Sequence, residues 1–235
     1  WFVVLVTAGS EYAQGQSFSV RNDHREQLHA ESGSWVCASD SGALVVEGAW
    51  DTLNQFTRIC FVTVSEVGDA NEFRSFGRDS LTCLPGWASG PVEAGDGGFA
   101  CMGTTDDGSR LSARYWRFSS VLDSLWSVEI YPDSADVSIG AMAATGTNGF
   151  YGVGYIRHGT GMGQVFLTHL DTAGIVLWTR EYGGTYRDEG WSMDTTVDGG
   201  FILGGWARFN DTDYDQYIIK TDPLGNEQWH RYLGS

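Results

Sequence analysis

Thr196-Val197-Asp198-Gly199-Gly200-Phe201-Ile202-Leu203-Gly204-Gly205 is the clearest instance of a pattern that recurs every 51 residues. Each instance has a Gly-Phe pair with a further glycine four residues after the phenylalanine, as in Gly98-Phe99 with Gly103, Gly149-Phe150 with Gly154, and Gly200-Phe201 with Gly205. One tryptophan per copy follows in a similar register: Trp126, Trp178 and Trp229. Ser41-Gly42-Ala43-Leu44 with Gly48 and Phe73 supplies a weaker earlier copy. A repeat of this length indicates a tandem architecture, with copies over approximately 17–77, 78–130, 131–182 and 183–235.

The last copy divides into four pieces of ordinary strand length, Gly190–Thr196, Phe201–Arg208, Tyr214–Thr221 and Glu227–Leu233. Val197-Asp198-Gly199-Gly200 joins the first two pieces, and Asp222-Pro223-Leu224-Gly225 joins the last two. Glycines in such turns accept the positive φ that a tight hairpin needs. The copy is therefore predicted to be four antiparallel strands joined by local hairpins.

Four antiparallel strands repeated in tandem are typical of the blades of a β-propeller. The predicted fold class is all-β, a propeller of four-stranded blades with about 51 residues per blade. Ser17–Arg21 resembles a fourth strand without its blade, while the last copy already has all four strands. The prediction is therefore an incomplete ring, with a ring closed by four copies as the alternative.

Some residues also resemble a known group of proteins. They are Asp188-Glu189-Gly190-Trp191, Thr196 to Phe201, Asp215-Gln216-Tyr217, Lys220-Thr221-Asp222, Gly225, and Trp178 to Gly184. This set is similar to the propeller repeat of secreted bacterial and archaeal cell-surface proteins, and the bacterial proteins often carry a type IX secretion sorting domain. The segment from Lys220 to Trp229 also resembles, in part, the Trp-docking repeat of quinoprotein dehydrogenases. The likeness covers residues 17 to 235 and implies a secreted or surface propeller, but no activity.

The charge balance restricts the partners. The chain has 30 acidic and 14 basic residues, a formal net charge of −16. A charge of this sign opposes nucleic-acid backbones and anionic membrane surfaces. The sequence therefore predicts neither nucleic-acid binding nor binding to an anionic bilayer.

The first residues suggest a targeting segment. Trp1 to Ala8 is an apolar run too short to span a bilayer, and its length matches the apolar region of a signal peptide. Residues 1–13 are interpreted as a signal-peptide remnant, with a strand of a preceding blade as the alternative. No transmembrane span is predicted.

The four cysteines have no metal-ligand or redox-pair spacing. Buried thiols are the first expectation for Cys37, Cys60, Cys83 and Cys101. A disulfide between Cys83 and Cys101, which fall in one copy, is the alternative in an oxidising compartment.

The connections between the second and third strands are the predicted binding face, because all of them emerge on one side of a propeller. Their candidate residues, with two aromatic residues near them, are Asp106, Asp107, Arg110, Arg157, His158, Trp206 and Phe209. The expected partner is a protein or a glycan at the extracellular surface. Alternating carboxylates at Asp211, Asp213 and Asp215 suit calcium, but they fit turn-forming acids as well, so no cofactor beyond this calcium candidate is predicted.

Other recurring residues have structural interpretations. The tryptophans at 126, 178 and 229 are predicted wedges between blades. The phenylalanines at 99, 150 and 201, the turn residue Asp198 and the strand glycine Gly205 are predicted structural residues of the repeat. Acids recur before each first strand, at Glu31, Asp79, Asp136 and Asp188-Glu189. Periodic acids are expected to accept backbone amides rather than to act as a catalytic pair.

No nucleophile or cofactor motif is present. We therefore assign no catalytic residue and favour a noncatalytic binding or scaffolding module. The alternative is an enzyme that uses the central funnel, either a glycan hydrolase or lyase or a quinoprotein-like oxidoreductase. Residues present in a single copy, Arg157, His158 and His169, would be its markers.

Overall fold

The structure of the protein is a computed structural model, and it describes residues 28–39, 42–52, 55–76, 81–86, 90–131, 135–145, 149–210 and 213–234. These residues form strands and connections, and none of them is helical. They build four antiparallel sheets. The all-β prediction is thus confirmed. Within the described ranges, no helix has the length and apolarity needed to cross a membrane. Residues 1–13 and 17–21 lie outside these ranges, as do Asp79 and Asp211.

The chain divides into two compact units, Trp1–Pro85 and Gly86–Ser235. The first unit contains β1 (Leu28–Ser39), β2 (Gly42–Asp51), β3 (Phe56–Ser65), β4 (Ala70–Phe76) and β5 (Thr82–Pro85). β1 to β4 pair in chain order to make the first sheet. Leu44, Val46, Ile59 and Phe61 of β2 and β3 are buried almost completely, and β2 is buried along nearly its whole length. Cys60 and Cys83 are buried as thiols.

The second unit holds three sheets whose strands run in chain order. The second sheet contains β6 (Val92–Glu93), β7 (Phe99–Asp106), β8 (Leu111–Phe118) and β9 (Ser124–Ile130). The third contains β10 (Ala135–Ala144), β11 (Phe150–His158), β12 (Gln164–Leu170) and β13 (Val176–Tyr182). The fourth contains β14 (Arg187–Thr195), β15 (Phe201–Arg208), β16 (Tyr214–Thr221) and β17 (Glu227–Leu233).

The strands predicted for the last copy agree with the fourth sheet. Three of the four have the predicted bounds, and β14 begins at Arg187 rather than at Gly190 and ends at Thr195 rather than at Thr196. The ladder continues there because Asp188 pairs with Ala207 and Glu189 with Trp206. Hydrophobic pattern alone does not show this extension, since the added residues are charged.

A carboxylate turn fixes the first hairpin of the fourth sheet. The Gly200 amide donates to Asp198 Oδ1 at 3.2 Å, and Lys220 Nζ donates to Asp198 Oδ2 at 2.9 Å. Gly199 occupies the left-handed region with φ of 80°, which glycine adopts without strain. The second sheet repeats this device, with Asp96 accepting the Gly98 amide and pairing with Arg117. Asp198 therefore holds a hairpin, as a structural turn residue would.

Neighbouring sheets of the second unit pack face to face. Met102 and Tyr115 of the second sheet share one apolar cluster with Ile139, Phe150 and Phe166 of the third. A second cluster joins the third and fourth sheets. Its main members are Tyr151, Val153, Val165 and Leu167 on one side and Phe201, Leu203, Tyr217 and Ile219 on the other. Phe150 and Phe201, related by the repeat, are both almost fully buried, and so is Phe99.

The tryptophans of the fourth strands contact the hairpin turn of the next sheet. A methyl group built on Gly174 would lie 2.9 Å from the Trp126 ring, and Trp126 Nε1 donates to the Thr172 carbonyl at 3.2 Å. A methyl group built on Gly225 would lie 2.7 Å from the Trp178 ring. Only a turn without a side chain fits beneath these rings. Trp229 is 41% exposed.

Candidate functional site

Three connections lie at the same end of the sheets of the second unit, and we call this end the loop edge: 107–110, 159–163, and the connection after Arg208, of which residues 209, 210 and 213 are described. They follow β7, β11 and β15, the second strands of the three sheets. The Asp107 side chain accepts the amides of Ser109 and Arg110 at 2.8 and 2.9 Å. Asp106 accepts the Gly108 amide at 2.8 Å. Both predicted aspartates thus shape their own loop and hold the position of Arg110.

Arg110, Arg157 and His158, predicted from different copies, enter one network. Arg110 pairs with Glu129 at 2.6 Å, His158 Nε2 lies 3.0 Å from Glu181 Oε1, and Arg157 pairs with Asp136. The Leu111 amide donates to Asp136 at 3.4 Å, which joins the first loop to the third sheet. We call the following residues the charged cluster: Arg110, Glu129, Asp136, Arg157, His158 and Glu181.

Tyr131 contacts two residues of the charged cluster. Its ring meets His158 and Phe166 edge to face at 6.2 and 6.0 Å, and its carbonyl accepts Arg110 Nη1 at 3.2 Å. Burial raises the pKa of its hydroxyl to about 12. Its φ of 57° is in the left-handed region, which is costly for a residue with a large side chain and persists where packing enforces it.

Sequence reasoning missed Glu129, Glu181 and Tyr131. A signal for the two glutamates was present, because both stand three residues after the repeat tryptophan, in Trp126-Ser-Val-Glu129 and Trp178-Thr-Arg-Glu181. The equivalent residue of the last copy is Tyr232. Tyr131 had no such signal, since its role depends on a backbone conformation.

Aromatic and arginine side chains contact one another where the third and fourth sheets meet at the loop edge. The Arg187 guanidinium lies 5.3 Å from the Tyr155 ring and 5.6 Å from the Trp206 ring. Trp206 meets Tyr214 edge to face at 5.3 Å, and Arg208 lies over Tyr214 at 5.4 Å.

Phe209 has different neighbours. It packs between Tyr186 and Tyr232, with centroid distances of 4.5 and 5.3 Å. Tyr186 is 41% exposed, while Phe209 is only partly accessible. Phe209 thus positions Tyr186, which is the more accessible ring.

The recurring acids occupy different registers. Asp136 lies opposite Arg157, whereas Asp188 lies opposite Ala207. The 51-residue repeat makes Ala207 the counterpart of Ile156, and Ile156 lies opposite Val137. Asp188 is therefore the counterpart of Val137, one residue after the position that Asp136 occupies. Each nevertheless accepts a backbone amide, Asp136 from Leu111 and Asp188 from Gly184 at 3.1 Å, as predicted for periodic acids. Glu31 lies in β1, and its side chain is outside the described set.

Asp188 and Asp136 should respond to pH in opposite directions. Burial raises the pKa of Asp188, so the stability it contributes is present below the ordinary aspartate pKa of about 3.9 and is lost as the pH rises through the raised value. The free energy of unfolding of Asp188→Asn, measured relative to that of the parent, is therefore expected to be higher at about pH 7 than at about pH 3.5. Urea denaturation at both pH values measures this difference.

Asp136→Asn is the matched control. The hydrogen bond from Arg157 lowers the pKa of Asp136, so its stabilising contribution is present at neutral pH and is lost in acid. This variant should lose stability at about pH 7 and approach the parent at low pH. The same pH trend in both variants would contradict the assignment of buried and paired carboxylates.

The calcium prediction involves the loop before β16. Asp213 is exposed and its carbonyl accepts the Phe209 amide at 3.0 Å, and Asp215 lies within β16 opposite Ala207. Asp211 lies outside the described residues. Within the described ranges, no group of three or more histidine, cysteine or acidic side chains is arranged to hold a metal ion. The calcium site stays a prediction.

Neither the protein-family models nor the curated proteins contain a match to this chain.

Proposed function

We propose that the protein is a noncatalytic binding module, a secreted or cell-surface β-propeller whose loop edge binds a neutral glycan. The observation that carries the proposal is the charged cluster, because it gathers accessible polar groups from two sheets at one end of the unit. The propeller itself is proposed from the 51-residue repeat and from the face-to-face packing of successive antiparallel sheets.

The pairing of charges favours an uncharged ligand. Arg157, His158 and Arg110 each have a carboxylate partner, so the cluster presents little net charge. Arg157 and His158 are nevertheless 46% and 51% exposed in their side chains. Guanidinium and carboxylate groups have donors and lone pairs beyond those used in one ion pair, and hydroxyl groups of a sugar can use both.

Aromatic side chains at the loop edge add a second kind of contact. Tyr186 and Tyr214 are 41% and 51% exposed, and their edge-to-face contacts with Phe209 and Trp206 hold the rings in place. Rigid aromatic rings near polar groups are a common way to bind a ligand that has both apolar and polar surfaces.

Screening the full chain on an array of immobilised neutral oligosaccharides, followed by calorimetry with the best binder, tests the proposal. Arg157→Ala with His158→Ala is expected to weaken binding about tenfold or more, since the hydrogen-bonding groups of a guanidinium and an imidazole are lost. Val197→Ser is the matched control, because Val197 is fully exposed in the hairpin turn at the other end of the sheets.

The outcomes separate the candidate functions. No binding to the array, together with capture of a specific protein that depends on Arg157 and His158, would replace the glycan by a protein partner. Release of shorter sugars from a bound oligosaccharide would favour the enzyme, with the His158–Glu181 pair as a base. Equal binding by the double variant and the parent would remove the charged cluster from the proposal.

A further inference from the structure

The fourth sheet has a side that no other described part of the second unit covers. We call it the open face and define it by Ile202, Gly204, Gln216, Ile218, Trp229 and Leu233, which share one side of β15, β16 and β17 by strand alternation and register. Gln216 is exposed, and Trp229 and Leu233 are 41% and 51% exposed. Ile202 and Ile218 are partly accessible.

The same positions of the third sheet are buried. The repeat places Tyr151, Val153, Val165, Leu167, Trp178 and Tyr182 at the corresponding points of β11, β12 and β13. Val153 and Leu167 are 0% exposed and Val165 is 1% exposed, and Tyr182 is buried too. Gln216, the counterpart of Val165, is exposed, so this position of the repeat is buried in the third sheet and open in the fourth.

The residues that cover the third sheet belong to the fourth. The residues that pack on it are Phe201, Leu203, Tyr217 and Ile219. Gly225, in the outer hairpin between β16 and β17, packs against the Trp178 ring. Tyr182 donates its hydroxyl hydrogen to the Gly225 carbonyl at 2.6 Å. The second sheet meets the third in the same way, with Trp126 on Gly174. In both interfaces, therefore, the tryptophan of one sheet packs on a glycine in the outer hairpin of the next.

We propose that the open face is a docking surface for a further four-stranded sheet of this repeat type. The occupant would present an apolar side with an aromatic residue at the start of its second strand, and a glycine in its outer hairpin beneath Trp229. Lys220 and Arg231 also lie on the open face, opposite Trp229 and Ile218. The Lys220 side chain is only 11% exposed and pairs with Asp198. Arg231 lies over the Trp229 ring at 5.8 Å, as Arg180 lies over the Trp178 ring at 5.3 Å in the covered third sheet, so a cation at this position is compatible with a packed neighbour. The inference rests on sheet packing and not on glycan binding, so either proposal can fail alone.

A full chain extended at its C-terminus by a duplicate of residues 185–234 tests the proposal. Gln216→Cys in the original part reports accessibility through its rate of reaction with a thiol reagent. The cysteines described at 60, 83 and 101 are buried, and Cys37 is replaced by serine in every variant to keep the background low. Val197→Cys, on an exposed turn away from the open face, is the matched control.

The extension is expected to slow labelling at position 216 at least tenfold and to leave position 197 unchanged. Replacing the duplicate's counterpart of Gly225 with glutamine should restore fast labelling. Unchanged labelling at 216, or a duplicate that stays unfolded beside the open face, would overturn the proposal. Protection that rises with concentration in the unextended chain would also overturn it, because the occupant would then be a second copy.

Discussion

Trp178→Ala is expected to lower the free energy of unfolding by about 3 kcal/mol, near the lower end of the range for removing a packed aromatic side chain. The ring lies 6.0 Å from Tyr151 and 5.4 Å from His169, and the Gly225 turn packs against its other side. Alanine would leave a cavity between the third and fourth sheets, which the backbone hairpin cannot fill. Denaturant unfolding of the full chain measures the loss.

Trp229→Ala is the matched control for this prediction. Trp229 has the same place in the repeat and the same cross-strand position, opposite Lys220 as Trp178 is opposite His169. It is 41% exposed, so its removal should cost less than about 1 kcal/mol. Equal losses for the two variants would mean that the tryptophan stabilises its own sheet rather than the contact with the next one.

The sequence was sufficient for most of the fold. The Gly-Phe and tryptophan periods located the last sheet because each recurring residue has its own structural role. Phe201 fills the interface, Gly199 adopts a positive φ, and Trp178 packs on a turn. The beginning of β14 was not predictable in this way, because its first three residues are charged and their pairing with β15 depends on neighbours distant in sequence.

The candidate site was predictable only in part. Loop position was enough to select Arg110, Arg157 and His158, because local hairpins fix which end of a strand a loop occupies. Their carboxylate partners lie on other strands, and a single sequence does not show which charges meet. The burial of Asp188 was also not predictable from the sequence, since it depends on the packing of the fourth sheet as a whole.

Gly205→Ala is expected to lower the free energy of unfolding by about 3 kcal/mol or more, because the clash is with backbone. A methyl group built on Gly205 would overlap the Glu189 carbonyl oxygen and lie 2.8 Å from its carbonyl carbon. Glu189 and Gly190 belong to β14, next to the irregular register between Gly190 and Ser192. The strands would have to separate, and the buried carboxyl of Asp188 would move with them.

Gly204→Ala provides the control one residue away. A methyl group there would meet only the Ser192 hydroxyl, at 2.7 Å, and that side chain can rotate. Its effect on unfolding should be within about 1 kcal/mol, because alanine also restricts the unfolded chain. Thermal and urea unfolding of both variants measure the difference. If Gly205→Ala is as stable as Gly204→Ala, the recurring glycine of the repeat has no packing role, and the 51-residue period would have to be explained by something other than the close approach of first and second strands.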